Sequence, residues 1–211
     1  MNKISTFESE NSPVFCKETV EFVTVANEFC LLLERAAQFG KKDFVSRSQK
    51  MLPLLYFKAA VLPEPNESID EYYEKFVSET DWTFVEQRVS QLLGASEQFI
   101  NLTLPSNLHE TTELSLSECY ADIYQDLKDF TLLYQTGSGD AVNEALFELK
   151  ESFEDIWGPR ILALTATLHN MLFGSELLDE DKNEQDISED DDDFEDDDFH
   201  EINVKNLFSK N

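Results

Sequence analysis

Histidine, cysteine, glycine, proline and basic residues are all scarce in this 211-residue chain, and each shortage closes off a class of chemistry. The three histidines, His109, His169 and His200, are scattered, and none forms the Glu-x-x-His pairs that a di-iron bundle takes from two helices. The three cysteines, Cys16, Cys30 and Cys119, are odd in number and lack C-x-x-C spacing, which argues against a disulfide framework or a thiolate zinc site. All three fall in amphipathic segments, so buried free thiols and a cytoplasmic, reducing compartment are expected. Six glycines make no phosphate-binding loop, since Gly137-Ser138-Gly139-Asp140 is too short and follows a helix. No Gly-x-Ser-x-Gly elbow is present. Met1 to Thr6 carry no apolar core of a secretion signal, and the apolar run Leu52–Leu62 is too short and interrupted to span a bilayer.

What the chain has in excess is acid. Sixteen Lys and Arg stand against 44 Asp and Glu, a formal charge of −28. Residues 175–211 hold 16 of the acids and three lysines and so contribute −13; the other −15 belongs to residues 1–174. Such a surface disfavours direct contact with nucleic-acid phosphates or anionic lipid heads, which need clustered Lys and Arg, and favours a basic protein partner.

The charge divides the chain. Residues 1–11 are polar and expected to fray, residues 12–174 suit one domain with a full core, and residues 175–211 form an acidic tail. At the tail's centre, acids run from Glu189 to Asp198 with only Phe194 between them, and Phe199 follows. Acids this dense repel one another and leave too little apolar surface to offset chain entropy, so disorder is expected. Acidic segments with spaced aromatics bind basic grooves, and Phe194, Phe199, Leu207 and Phe208 are the anchors such a mode would use. The competing reading is a tail that only confers solubility.

The body reads as all-α, an irregular bundle of about six or seven helices. Ser12-Pro13 has the form of a helix start, with an apolar stripe from Phe15 to Ala36 behind it and Gly40 as a stop. Asp43 to Leu62 is helical with Pro53 expected to kink or split it, and Leu54–Leu62 is apolar nearly all round, which suggests a central place in the core. A short helix is expected over Ile69–Val77. Asp81 caps the next, closed by Gly94. Residues 95–114 are either an extension of that helix or an extended segment, a candidate recognition loop. Ser115 or Ser117 starts a helix to Gln135, and Asp140 caps the last one. Gly158-Pro159 kinks that helix, which would bring Arg160 to the surface; unbroken, the helix would put Arg160 amid its apolar face, in need of a carboxylate partner.

Three stretches resemble a bacterial family, the domain of unknown function 5063 family, found mainly in Bacteroidota. They are Glu21 to Cys30 (EFVTVANEFC), Leu52 to Ala59 (LPLLYFKA) and Ala121 to Phe130 (ADIYQDLKDF), with Trp157-Gly158 and Leu168-His169 similar to the family's last helix. The resemblance implies an all-α fold over most of residues 14–173 and carries no activity, cofactor or catalytic residue.

Carboxylates are the remaining candidates. Glu118, Asp122, Asp126 and Asp129 share one helical face, as do Glu144, Glu148, Glu151 and Asp155. Asp126/Asp129 and Glu151/Glu154 imitate the three-apart acidic pairs with which all-α nucleotide pyrophosphohydrolases hold Mg²⁺. Each stripe, however, projects away from the apolar stripe of its helix, so both are expected to face water. The expected function is thus a non-enzymatic interaction module with no cofactor and no catalytic residue, recognising a basic protein surface away from nucleic acid and membrane. The alternative is a Mg²⁺-dependent hydrolase of nucleotide-like substrates built on Asp126, Asp129, Glu151 and Glu154.

Overall fold

A computed structural model describes residues 12–66 and 75–174. They are mostly helical: α1 (Lys17–Glu34), a 3-10 turn (Ala36–Gln38), α2 (Lys41–Ala60), α3 (Glu79–Leu93), a second 3-10 turn (Gly94–Ser96), β1 (Phe99–Leu104), β2 (Asn107–Ser115), α4 (Leu116–Thr136), α5 (Gly139–Ser152) and α6 (Gly158–Phe173). A π-helical turn, Phe153–Trp157, joins α5 to α6. The acidic tail and most of the expected Ile69–Val77 helix lie outside the described residues, and Lys75 to Val77 are not helical.

Local chemistry sets the helix ends. Ser78 caps α3, with Asp81 at the third helical position closing a reciprocal capping box. Ser115 and Glu118 do the same for α4, and Ser138 caps α5. Serines thus hold the caps that Asp81 and Asp140 were expected to hold. Ser12-Pro13 begins a turn instead of a helix: the Thr19 hydroxyl donates to the Pro13 carbonyl at 2.6 Å, and α1 starts at Lys17. Gly94 ends α3 with φ of 51°, in the left-handed region that favours glycine.

The core gathers around α4. Along its described length only Gln125 and Gln135 are exposed, and α1, α3, α5 and α6 all pack against it. Tyr120 lies between Phe29 (6.2 Å between ring centres) and Phe44 (5.5 Å), and Phe22 bridges Phe130 and Trp157.

Residues 99–115 form an antiparallel hairpin, so of the two readings of residues 95–114 the extended one holds, and the mostly helical body carries a small two-stranded sheet. Phe99 to Leu102 pair with Ser115 to Thr112, and the register then shifts so that Leu104 faces Asn107. Leu102 is buried on the side of β1 toward α6, while Phe99 and Leu108 remain exposed. Alternation in Phe99–Leu104 was the available signal; Pro105-Ser106 is not one of the usual two-residue hairpin turns, and the bulge interrupts the pattern in β2.

Pro53 does not split α2, which stays helical from Lys41 to Ala60. Nor is the segment beyond it central: Leu54, Phe57 and Val61 are exposed, while Leu52, Leu55 and Ala59 face the core.

The last helix is neither kinked apart nor regular. Its backbone remains in the right-handed helical region through the π turn, where the Gly158 N–H bonds to the Phe153 carbonyl five residues back. Proline clashes with the carbonyl one turn behind it, and a widened turn before Pro159 relieves that clash. One inserted residue rotates the following face by about 100°. That explains why Trp157 is buried and Ile156 exposed, although a uniform helix puts Ile156 in the apolar stripe. A Cβ on Gly158 would stand 2.3 Å from the Phe153 carbonyl oxygen. Gly158→Ala is therefore expected to lower stability by about 2 kcal/mol, the scale of overpacking in a filled core. Chemical denaturation checks this, with Gly139→Ala, whose added Cβ makes only ordinary contact at 3.9 Å, as the neutral control.

Candidate functional site

The acidic face of α4 is the place where sequence and structure diverge most. Expected to face water, each of its four carboxylates instead accepts hydrogen bonds that hold a fold element. Glu118 takes the Ser115 N–H at 2.7 Å. Asp122 accepts the Trp82 indole N–H at 3.0 Å and pairs with the Arg160 guanidinium, whose Nε lies 3.0 Å from its second oxygen. Asp126 accepts the Ser152 hydroxyl. Asp129 accepts two backbone N–H groups through one oxygen, from Phe76 at 2.7 Å and Val77 at 2.8 Å. A helical face of acids becomes a polar seam binding α4 to α3, α5, α6 and the approach to α3.

Arg160 follows from the π turn. Its side chain is 11% exposed, and the 100° rotation moves it from the centre of the buried face to the flank that meets α4. Besides Asp122 it donates to the Ile156 carbonyl at 2.9 Å. The expected surface position is thus corrected: Arg160 is largely covered and has the carboxylate partner that a covered guanidinium needs.

Beside the seam lies a cavity of about 60 Å³ lined by Lys75, Asp126, Asp129, Glu148, Ser152 and apolar groups of α4 and α5. Lys75 bridges to Glu148 at 2.8 Å. Burial pushes the Asp126 carboxyl above its ordinary range, opposed by the Ser152 hydroxyl and Lys75. Burial also pushes Asp129 up, opposed by the N–H groups of Val77 and Phe76. Ligand pockets run to about 300 Å³ and more, so this space suits a few waters and not a nucleotide.

The four carboxylates of the hydrolase reading do not converge. Asp126 and Asp129 share the cavity, but Glu151 and Glu154 are exposed and do not line it. Among the described residues no group of three or more His, Cys, Asp or Glu is placed to hold a metal ion. Phe194, Phe199, Leu207 and Phe208 lie outside the described residues. Sequence reasoning singled out Asp126 and Asp129, and named Glu148 within an acidic stripe of the later helix, but missed Lys75 and Ser152, which carry no motif.

A second polar cluster joins α1 to α4. Glu34 accepts the Tyr124 hydroxyl at 3.0 Å and the Lys128 ammonium at 2.7 Å, and its carbonyl accepts Arg88 from α3 at 2.8 Å. Burial, then Glu34, raises the Tyr124 phenol. Cys30 and Cys119 supply no activated thiolate: both are buried, with burial pushing the Cys119 thiol up to about 12.

The family that the sequence resembles has a model that matches residues 13–174, nearly all of this mostly helical body. The chain belongs to the DUF5063 family, a domain of unknown function. The crystal structure of protein BF1032 from Bacteroides fragilis is similar, with a TM-score of 0.68 and 33% identity over 77% of this chain and 97% of that one. No curated protein matches. The described DUF5063 residues include no helix long and apolar enough to cross a membrane.

Two measurements check the seam. Asp129→Ala would leave two N–H groups without an acceptor and is expected to cost about 3 kcal/mol, read by denaturant unfolding. Asp126→Asn tests the burial of charge. A carboxyl raised above its unfolded value favours the fold at low pH and loses that contribution as pH rises through the folded value. The Asn variant should therefore gain stability relative to wild type as pH rises from 4 to 7, and parallel pH profiles would contradict the assignment.

Proposed function

We propose that this DUF5063 protein is a non-enzymatic protein–protein interaction module that recognises a basic partner surface through its acidic body and tail. The observation that carries the reading is how the charges are used. Residues 1–174 contain 28 acids and 13 Lys and Arg. Several of those cations are engaged within the fold: Lys58 with Glu21, Lys128 with Glu34, Lys150 with Glu64 and Arg160 with Asp122. The acids therefore outnumber every cation available to neutralise them, and the excess makes a negative surface suited to Lys- and Arg-rich protein. Phe194, Phe199, Leu207 and Phe208 supply the apolar anchors that acids alone lack. The compartment consistent with free, buried Cys30 and Cys119 is the cytoplasm.

The hydrolase alternative finds no matching support, because Glu151 and Glu154 are exposed and do not line the cavity that Asp126 and Asp129 share.

Affinity capture from the native host tests the proposal, using the full chain, a chain ending at Gly174, and a full chain with Phe194, Phe199, Leu207 and Phe208 replaced by serine. The expected partner has a basic surface, is retained at low salt, and is lost from both altered chains. Identical partners for all three would remove the tail from the mechanism, and capture unaffected by raising salt would remove the charge.

A further inference from the structure

One helix departs from the acidity of the body. α2 carries Lys41, Lys42, Arg47, Lys50 and Lys58 against Asp43 alone, a net +4, whereas α1, α3, α4 and α5 are each net negative. Its second half also leaves apolar surface open. Pro53, Leu54, Phe57, Ala60 and the capping Val61 are all exposed, and at about 100° per residue they fall within one arc of about 120°. Leu54, Phe57 and Val61 are 46%, 58% and 41% exposed. The core does not use this arc, because Leu52, Leu55 and Ala59 fill the opposite side of the helix. Upstream of the patch, Arg47 and Lys50 bond along their own helix, to Asp43 and Ser46. Just downstream, the Glu64 side chain is 89% exposed. Cations thus flank the apolar patch at one end and an acid flanks it at the other.

We propose that this face of α2 is an interface with a second copy of the same chain, formed by two α2 helices packed antiparallel about a two-fold axis at Phe57. The patch is self-complementary in the way such an axis requires. A two-fold interface joins one surface to itself, so that residue i meets residue j and j meets i. With Phe57 on the axis, Leu54 stands opposite the partner's Ala60, a large side chain against a small one, which suits close helix packing. Pro53 stands opposite the partner's Val61. The same register sets Lys50 opposite the partner's Glu64, and by symmetry Glu64 opposite the partner's Lys50, so the charges pair twice. A parallel pairing would set Lys50 against Lys50. Charge also decides where two such chains can meet. Copies of −28 repel one another over most of their surface, and α2 is where that repulsion is least. The apolar patch is on the order of 400 Å² per copy, and a stable interface takes about 800 Å² from each partner. The polar rim of Arg47, Lys50 and Glu64 supplies part of the difference, and the dimer is a weak one that forms at micromolar concentration. It is independent of the basic-partner reading, which uses the acid excess of the other elements.

Sedimentation equilibrium of the full chain, with no other protein present, tests the interface. Wild type is expected to pass from one chain to two as its concentration rises through the micromolar range. A Leu54→Ser/Phe57→Ser chain whose circular dichroism matches wild type should associate at least about ten-fold more weakly. Lys50→Glu alone and Glu64→Lys alone each set like charges opposite one another and should weaken association. An equimolar mixture of those two chains sets opposite charges together at both contacts and should recover the wild-type dimer, a recovery that no folding effect within one chain can produce. The proposal is overturned by a wild type that keeps the mass of one chain up to about 500 µM. Association unchanged in Leu54→Ser/Phe57→Ser, or a mixture that associates no more tightly than its components, overturns it equally. Because no basic partner is in the cell, failure here leaves the capture experiment standing.

Discussion

The commitment of the α4 carboxylates to neighbouring elements is the constraint on which the rest of this structure depends. Asp122 fixes α3 through Trp82 and α6 through Arg160, Asp126 fixes α5 through Ser152, and Asp129 fixes Phe76 and Val77 as the chain enters α3. Apolar contacts alone tolerate sliding and repacking, because they are non-directional. Acceptors with defined donors set angle and register, and a buried acceptor or donor left without its partner costs about 1–3 kcal/mol. The seam therefore specifies how the helices sit around α4, while Phe22, Phe29, Tyr120, Phe130 and Trp157 supply the apolar burial.

The π turn belongs to the same arrangement. Without the inserted residue at Phe153–Trp157, Arg160 would lie at the centre of an apolar face and Trp157 would leave the core. With it, Trp157 packs on Phe22 and Phe153, and Arg160 reaches Asp122. The π turn is thus explained by packing and by Pro159, and no catalytic role is needed for it. The same economy applies to the small cavity: its carboxylates are hydrogen-bonded acceptors of the fold, and its volume admits water.

Much of the helical layout was legible in the sequence, because 3.6-residue periodicity, Ser115 and Gly94 are local signals. The hairpin was not, since its turn uses Pro105-Ser106 and its strands expose most of their residues. The α4 seam was hidden for a different reason. Helical-wheel reasoning assumes one buried face, but a helix surrounded by four others buries its polar positions as well; Cys119, Ala121 and Thr131, small and buried around the helix, were the available hint. The opposite error occurred in α2, where the run Leu54–Leu62 reads as core by composition and yet shows Leu54, Phe57 and Val61 to solvent. Ser152 and Lys75 could not be assigned at all, because their roles depend on contacts with residues far away in sequence.

The central claim is that the α4 carboxylates serve the fold and are not reserved for a metal. A Mg²⁺ titration of the thermal unfolding midpoint tests it most directly, comparing wild type with Asp126→Asn. The account predicts the same response in both chains, set by weak screening of a highly acidic protein. A saturable stabilisation of the wild type that disappears in Asp126→Asn would contradict it.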